Sequence, residues 1–261
     1  MKFDWTVHPN SRISRIRFRP LQWILLLMRN MWVFTLRHRP RNDRDRIINF
    51  RYIDSVKISL TYIMCAEVDG SIGEFGCHGN LAKLIARWLA EYSPTRRYHI
   101  FDSFEGYPAI ESEVDLSSPH IISGIWYSGA SSSKISAAKL AAKLSRIHKH
   151  THVHVGFFSK TLPATTIDEG FSLLILDCNL YSSHNVVLSH VFSCGLINEG
   201  VMVMFADYNV NRASPDFSSR RAWREAVENF EIRFSDEGPY NWGGHRFIVH
   251  GYNGMPSRPD A

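Results

Sequence analysis

Between residues 50 and 250 the apolar positions alternate between a helical and a strand-like spacing. Tyr52, Ile53, Val56, Leu60, Ile63 and Met64 step at helical intervals until Gly70, which predicts a helix leading into the body of the chain. Residues 72–75 form a brief apolar run closed by the turn Gly76-Cys77-His78-Gly79, and Leu81, Leu84, Ile85, Trp88 and Leu89 then recur at helical spacing. A second strand is predicted at 98–101 with Asp102 at its carboxyl end, and a third at 152–156. Residues 171–176 are an unbroken apolar run, the pattern of a strand buried on both faces, and the run ends at Asp177. A helix at 186–192, a strand at 201–205 with Asp207 just beyond it, and an amphipathic helix at 215–230 follow. Residues 232–234 and 246–249 close the series as an antiparallel pair, and residues 131–133 offer serines to cap an alanine-rich helix ending near Ile147.

Strands alternating with helices predict an α/β fold: a doubly wound, mostly parallel, seven-stranded sheet of Rossmann-like form with an N-terminal helical extension. The divisions expected are an arm at 1–49, a domain at 50–250 and a frayed tail at 251–261. In such a sheet the carboxyl ends of the strands share one crevice, so Asp102, Asp177 and Asp207 can meet around a ligand. Each acid alone is equally well a loop or cap residue; the convergence of three is what predicts a site. A glycine turn lets a ligand approach the backbone, and an acid one strand over can accept from ribose hydroxyls, as an adenosine-containing cofactor requires. The G-x-G-x-x-G fingerprint is absent, which argues against a nicotinamide cofactor.

Charge changes the picture once it is located. The chain carries a net charge of +5, yet residues 1–51 hold twelve Lys/Arg against three Asp/Glu, leaving eighteen against twenty-two for the rest. A slightly acidic body does not grip nucleic acid along its own surface, so no nucleic-acid partner is expected. Within the arm, the apolar run 21–36 would span roughly 24 Å as a helix, short of a bilayer core of roughly 30 Å, with Arg29 near its middle. Two readings of it stay open: an interfacial helix with Trp23 and Trp32 at headgroup depth, giving peripheral membrane contact at the inner face, or a helix packed on the domain or a second subunit of a homo-oligomer. The four cysteines show no zinc spacing and read as reduced thiols of a cytoplasmic protein.

Several segments resemble the macrocin O-methyltransferase family: Glu74-Phe-Gly, Phe101-Asp-Ser-Phe-Glu-Gly-Tyr-Pro108, Gly156-Phe-Phe-Ser-Lys-Thr-Leu-Pro163, Asp177-Cys-Asn-Leu-Tyr-Ser-Ser183 and Phe205-Ala-Asp-Tyr208. They fall in family order across the body and omit the arm. The resemblance implies a class I methyltransferase that transfers a methyl group from S-adenosylmethionine to a hydroxyl of a sugar, glycoside or glycan, with magnesium beside the acceptor. It implies that Glu74, Gly76 and Gly79 line the methionine side of the cofactor and that Asp102 and Ser103 lie at its ribose. It also places Asp177, Asn179 and Asp207 at the metal, with Asp177 catalytic. The chain departs from the family pattern at Asn179 and Ala206, where acids are expected, so metal dependence rests on Asp177, Asp207 and a carbonyl of Asn179.

A sugar hydroxyl is a poor nucleophile at neutral pH, so a carboxylate or imidazole must take its proton; His245 is a candidate base, whereas His184 is expected only to pack. Histidines 148, 150, 152 and 154 are expected at a solvated helix end and on an alternating strand face. The long mixed segment 112–129 is expected to be a lid, with Trp126 and Tyr127 available to stack on a sugar ring. Two rivals to the methyltransferase reading are a non-catalytic binding or scaffolding protein of the same fold, and, more distantly, RNA methylation with the arm as electrostatic anchor.

Overall fold

The computed structural model describes residues 43–255 apart from 78 and 134, with side chains described from Tyr52 onward; the arm segment 21–36 lies outside the described residues. A long helix α1 (Asp43–Cys65) precedes β1 (Ser71–Phe75), α2 (Gly79–Tyr92) and β2 (Tyr98–Asp102). Two single-turn helices follow, α3 (Glu113–Leu116) and α4 (Pro119–Ile122), then α5 (Ala137–Ile147) and β3 (Thr151–Val155). The remainder is α6 (Phe158–Thr161), β4 (Phe171–Leu176), α7 (Tyr181–Ser193), β5 (Ile197–Phe205), α8 (Ser218–Phe230), β6 (Arg233–Pro239) and β7 (His245–Gly251).

These strands form one seven-stranded sheet in the order β3-β2-β1-β4-β5-β7-β6. The first five are parallel, and β7 and β6 add antiparallel, as the alternating pattern predicts. β4 lies centrally between β1 and β5, which explains its unbroken apolar sequence: every residue in it is buried. One face carries Val56, Leu60 and Ile63 of α1 with Ile85 and Leu89 of α2 and Leu144 of α5. The other carries Val187, Leu188 and Val191 of α7 with Ala222 and Trp223 of α8. With both faces covered, the ends of the strands are where a ligand can enter.

Four local expectations change. The alanine-rich helix is capped not by serines 131–133 but by Ser136, directly before Ala137, whose side chain accepts from the Lys139 amide at 3.4 Å. β5 begins at Ile197, earlier than its apolar run, because Asn198 donates to the carbonyls of Asp69 and Glu169 and so holds polar residues in the strand. His148 is buried, with Nδ1 3.1 Å from Thr151 Oγ1, and the His154 ring stacks on Phe101 at 4.4 Å, so these two histidines pack inward. The segment read as tail starts inside β7, and Tyr252 is buried edge-on against Phe192.

Candidate active site

The site grows from the turn after β1. Gly76 has φ +87, and a Cβ on it would lie 2.0 Å from the carbonyl oxygen of Asp177, so only glycine lets the ends of β1 and β4 come this close. One strand over, the Asp102 carboxylate is clamped by two backbone amides: Cys77 donates to Oδ2 and Phe104 to Oδ1, each at 2.5 Å. These bonds orient the carboxylate at the carboxyl end of β2 and tie it to the turn. Ser103 reinforces the following loop, its hydroxyl donating to the Gly106 carbonyl at 2.8 Å and accepting from the Glu105 amide at 3.2 Å.

A cavity of about 700 Å³ opens over these strand ends. Six of the residues predicted from the sequence line it: Gly76, Asp102, Ser103, Asp177, Asn179 and Asp207. Three others do not. Glu74 is wholly buried behind the turn, where it accepts from the Tyr98 hydroxyl. Gly79 begins α2, where a Cβ would stand 3.6 Å from Ile135 and Leu140 in ordinary contact. His245 turns away to Asp236, with Nε2 2.6 Å from Oδ1, and its ring packs on Tyr208 and Phe247. His184 is buried with its Nδ1 2.8 Å from the Leu180 carbonyl, and burial pulls its pKa down to about 4, a neutral packing residue as expected.

Two acids, Asp177 and Asp207, stand together in the cavity lining. Burial, and then the nearby Asp177 carboxylate, push Asp207 up to about 8, so Asp207 holds its proton at neutral pH. Behind them the phenols of Tyr52 and Tyr240 are raised well above their ordinary value by burial first and by Asp177 next, which keeps both neutral. The thiols of Cys77 and Cys178 are likewise pushed up, chiefly by burial, so neither is a thiolate nucleophile.

Tyr107, a cavity residue that the sequence reading did not single out, accepts from Asn179 Nδ2 at 2.6 Å and from Ser131 Oγ at 3.2 Å, and burial raises its pKa to about 12. It belongs to the segment Phe101–Pro108, where only glycine lets the chain pass so near residue 130: Gly106 has φ +89, and a Cβ there would lie 2.3 Å from the Ala130 carbonyl. Asp115 was also missed. Buried at 2 % exposure, it accepts from the amides of Tyr181 at 2.7 Å and Ser182 at 3.1 Å and thereby caps α7 from the lid segment. Sequence spacing carries no sign of a cap supplied from 66 residues away.

The segment 112–129 is held in its first half by Asp115 and by His120, whose amide donates to Asn211 Oδ1 at 3.2 Å, and at its far end by the Gly129 amide, which donates to the Tyr107 carbonyl at 3.0 Å. Trp126 does not face the cavity as a sugar platform. It is buried, stacked on His120 at 4.4 Å and edge-on to Tyr107, whereas Tyr127 is exposed.

No group of three or more His, Cys, Asp or Glu able to hold a metal occurs among the described residues. Magnesium nevertheless binds through as few as one or two carboxylates, with water filling the rest of its shell. The carboxylates of Asp177 and Asp207, both lining the cavity, meet that minimum in number.

The family model described as macrocin O-methyltransferase (TylF) matches residues 40–232. Among solved structures, the O-methyltransferase NovP is similar with a TM-score of 0.64 and 18% identity, over 77% of this chain and 80% of that one. The calicheamicin methyltransferase CalS11 is similar with a TM-score of 0.59 and 18% identity, over 93% of this chain and 98% of that one. A second CalS11 structure, described as a TDP-rhamnose 3'-O-methyltransferase, gives 0.51 at 17% identity over 90% and 89%. No curated protein matches the sequence. The structural likenesses carry the fold, and the family model spans most of the chain and every strand end of the site: the chain belongs to the macrocin O-methyltransferase family and is an O-methyltransferase.

Proposed function

We propose that the chain transfers the methyl group of S-adenosylmethionine to a hydroxyl of a small sugar or glycoside, with Asp177 and Asp207 at the acceptor. The observation that carries this reading is the cavity in which a doubly clamped Asp102 stands at one strand end and the neighbouring acids Asp177 and Asp207 at two others. Family membership supports the donor, and the names of NovP and CalS11 support an acceptor of the sugar class.

S-Adenosylmethionine supplies a methyl carbon on a sulfonium, and magnesium, held by Asp177 and Asp207 when bound, would make the acceptor hydroxyl more acidic. Asp102 accepts from the ribose hydroxyls through lone pairs that the Cys77 and Phe104 amides leave open. Gly76 admits the donor close to the backbone. With the donor methyl group presented there, Asp177, the ionised neighbour of Asp207, would take the proton that the acceptor hydroxyl gives up. Tyr107 and Asn179, bonded to each other, present a polar edge that orients the sugar. His245 has no part in this step, being committed to Asp236.

The test is methyl transfer from labelled S-adenosylmethionine to a panel of sugars and glycosides, in wild type and in Asp177→Asn. Loss of about 10²–10⁴-fold in kcat for the variant, with donor affinity kept, is expected of a general base. Turnover unchanged in Asp177→Asn removes this assignment. Magnesium added at pH 7 is expected to displace the proton of Asp207, so calorimetry in buffers of differing ionisation heat should record release of about one proton. Identical heats in all buffers would exclude binding at this pair.

A further inference from the structure

The histidines of β2 and β3 form a connected set that the mechanism above leaves unused. Across the two strands His99 stands in register with His152, and Phe101 with His154. His99 is buried, and its ring stacks on His152 at 5.2 Å and on His154 at 5.3 Å. His99 Nδ1 lies 3.0 Å from His154 Nε2, and His154 Nδ1 lies 3.3 Å from Thr165 Oγ1. Thr165 donates its hydroxyl to the Thr161 carbonyl at 2.7 Å, and the Thr161 hydroxyl donates to the Phe157 carbonyl at 3.2 Å. One line of hydrogen bonds thus runs from β2 to Phe157, which lines the cavity with Phe158 and Ser159.

The direction of the line follows from its far end. Thr165 gives its hydroxyl proton to Thr161, so its oxygen can only accept from His154. His154 therefore carries its proton on Nδ1, leaving Nε2 to accept from His99 Nδ1. His99 is then an Nδ1–H imidazole too, and its Nε2, buried with no partner among the described residues, holds a lone pair. The reverse direction would bury an unpaired N–H there, and buried donors without partners are rarer than under-used acceptors. Either direction needs neutral rings. Burial first, and then His154, His152 and Arg97, hold His99 down to about 3, and burial and His152 lower His154.

The wall at the end of this line adjoins the donor end of the cavity. The Gly156 amide donates to the Asp102 carbonyl at 2.9 Å, so the turn 157–159 leaves β3 directly beside Asp102. The helix that follows, α6, has only four residues and no side-chain cap at its start. Such a helix is not stable by itself, so tertiary contacts must fix it. Two of them are Phe158 edge-on to Phe75 at 5.9 Å and the line from His154.

We propose that His99 and His154 are positioning residues: acting through Thr165 and Thr161, they fix the turn 157–159 and with it the wall that S-adenosylmethionine meets beside Asp102. The donor clause rests on the methyltransferase reading above; the fixing of the turn stands on the hydrogen bonds alone.

The test uses the full chain with Thr165→Val, which keeps the shape of the residue and removes the hydroxyl joining His154 to Thr161, and Thr165→Ser, which restores it. The amides of Lys160, Thr161 and Leu162 close α6, and their hydrogen exchange should quicken about five- to tenfold in the valine variant, as loss of a neutral hydrogen bond gives, and recover in the serine variant. The dissociation constant for S-adenosylmethionine, read by calorimetry, should rise by about the same factor and recover likewise. Long-range proton–nitrogen correlation NMR at pH 7 should show His99 and His154 protonated at Nδ1, the reverse of the form that a free imidazole favours. A proton on Nε2 of His154, or valine and serine variants alike in exchange, would overturn the positioning line. Exchange that responds while donor affinity stays unchanged would overturn the donor clause. If wild type binds no S-adenosylmethionine, the methyltransferase reading fails, while exchange and tautomer still decide whether the histidines hold the turn.

Discussion

Asp207 shows how a single side chain links the stability of this protein to its chemistry. Its pKa is raised in the folded chain to about 8, from an ordinary 3.8, by burial and by Asp177. Between those two values the folded state holds a proton that the unfolded state has lost, so this residue makes stability fall as pH rises from about 4 to about 8. Asp207→Asn removes the liability: its melting temperature should match wild type near pH 4 and exceed it increasingly towards pH 8, by roughly 2–4 °C per kcal/mol gained. A constant difference across that range would mean that Asp207 is ionised throughout. At this scale the sequence disclosed the acids, because an acid after an apolar run marks a strand end. It did not disclose Tyr107, whose partners Asn179 and Ser131 come from distant segments. Nor did it distinguish Glu74, buried against the Tyr98 hydroxyl, and Gly79, at the start of α2, from Gly76, which meets the cavity.

Among the elements, the strands were legible and the lid was not. A run such as residues 171–176 can only be a buried strand once helices flank it, and β1, β2 and β4 begin and end within a residue or so of their apolar runs. The segment 112–129 has no period, so its two short helices, the inward Trp126 and the cap donated by Asp115 follow from tertiary contacts alone. Asp115→Ala should therefore act at two places at once. Loss of the cap on α7 is expected to cost about 1–2 kcal/mol in denaturant unfolding. Release of the lid should raise KM for the acceptor several-fold while leaving the affinity for S-adenosylmethionine unchanged. A variant with wild-type stability would show that the two amide bonds to Asp115 contribute nothing net.

Taken as a whole, the molecule places its chemistry where an open parallel sheet makes room for it. β1, β2, β4 and β5 are neighbours in the order β2-β1-β4-β5, so Gly76, Asp102, Asp177 and Asp207 arrive at one cavity although they span residues 76–207. That convergence is what the alternating pattern predicted before any contact was visible. The acceptor end was less legible, because the polarity of a cavity depends on which side chains face it, and His245 and Trp126 both face elsewhere. The central claim is the donor site built on Asp102, and calorimetric titration of S-adenosylmethionine tests it most directly. The account predicts micromolar binding, roughly −8 kcal/mol, by the wild-type chain and its loss in a cooperatively folded Asp102→Ala variant. No binding by wild type, or equal binding by both, would contradict it.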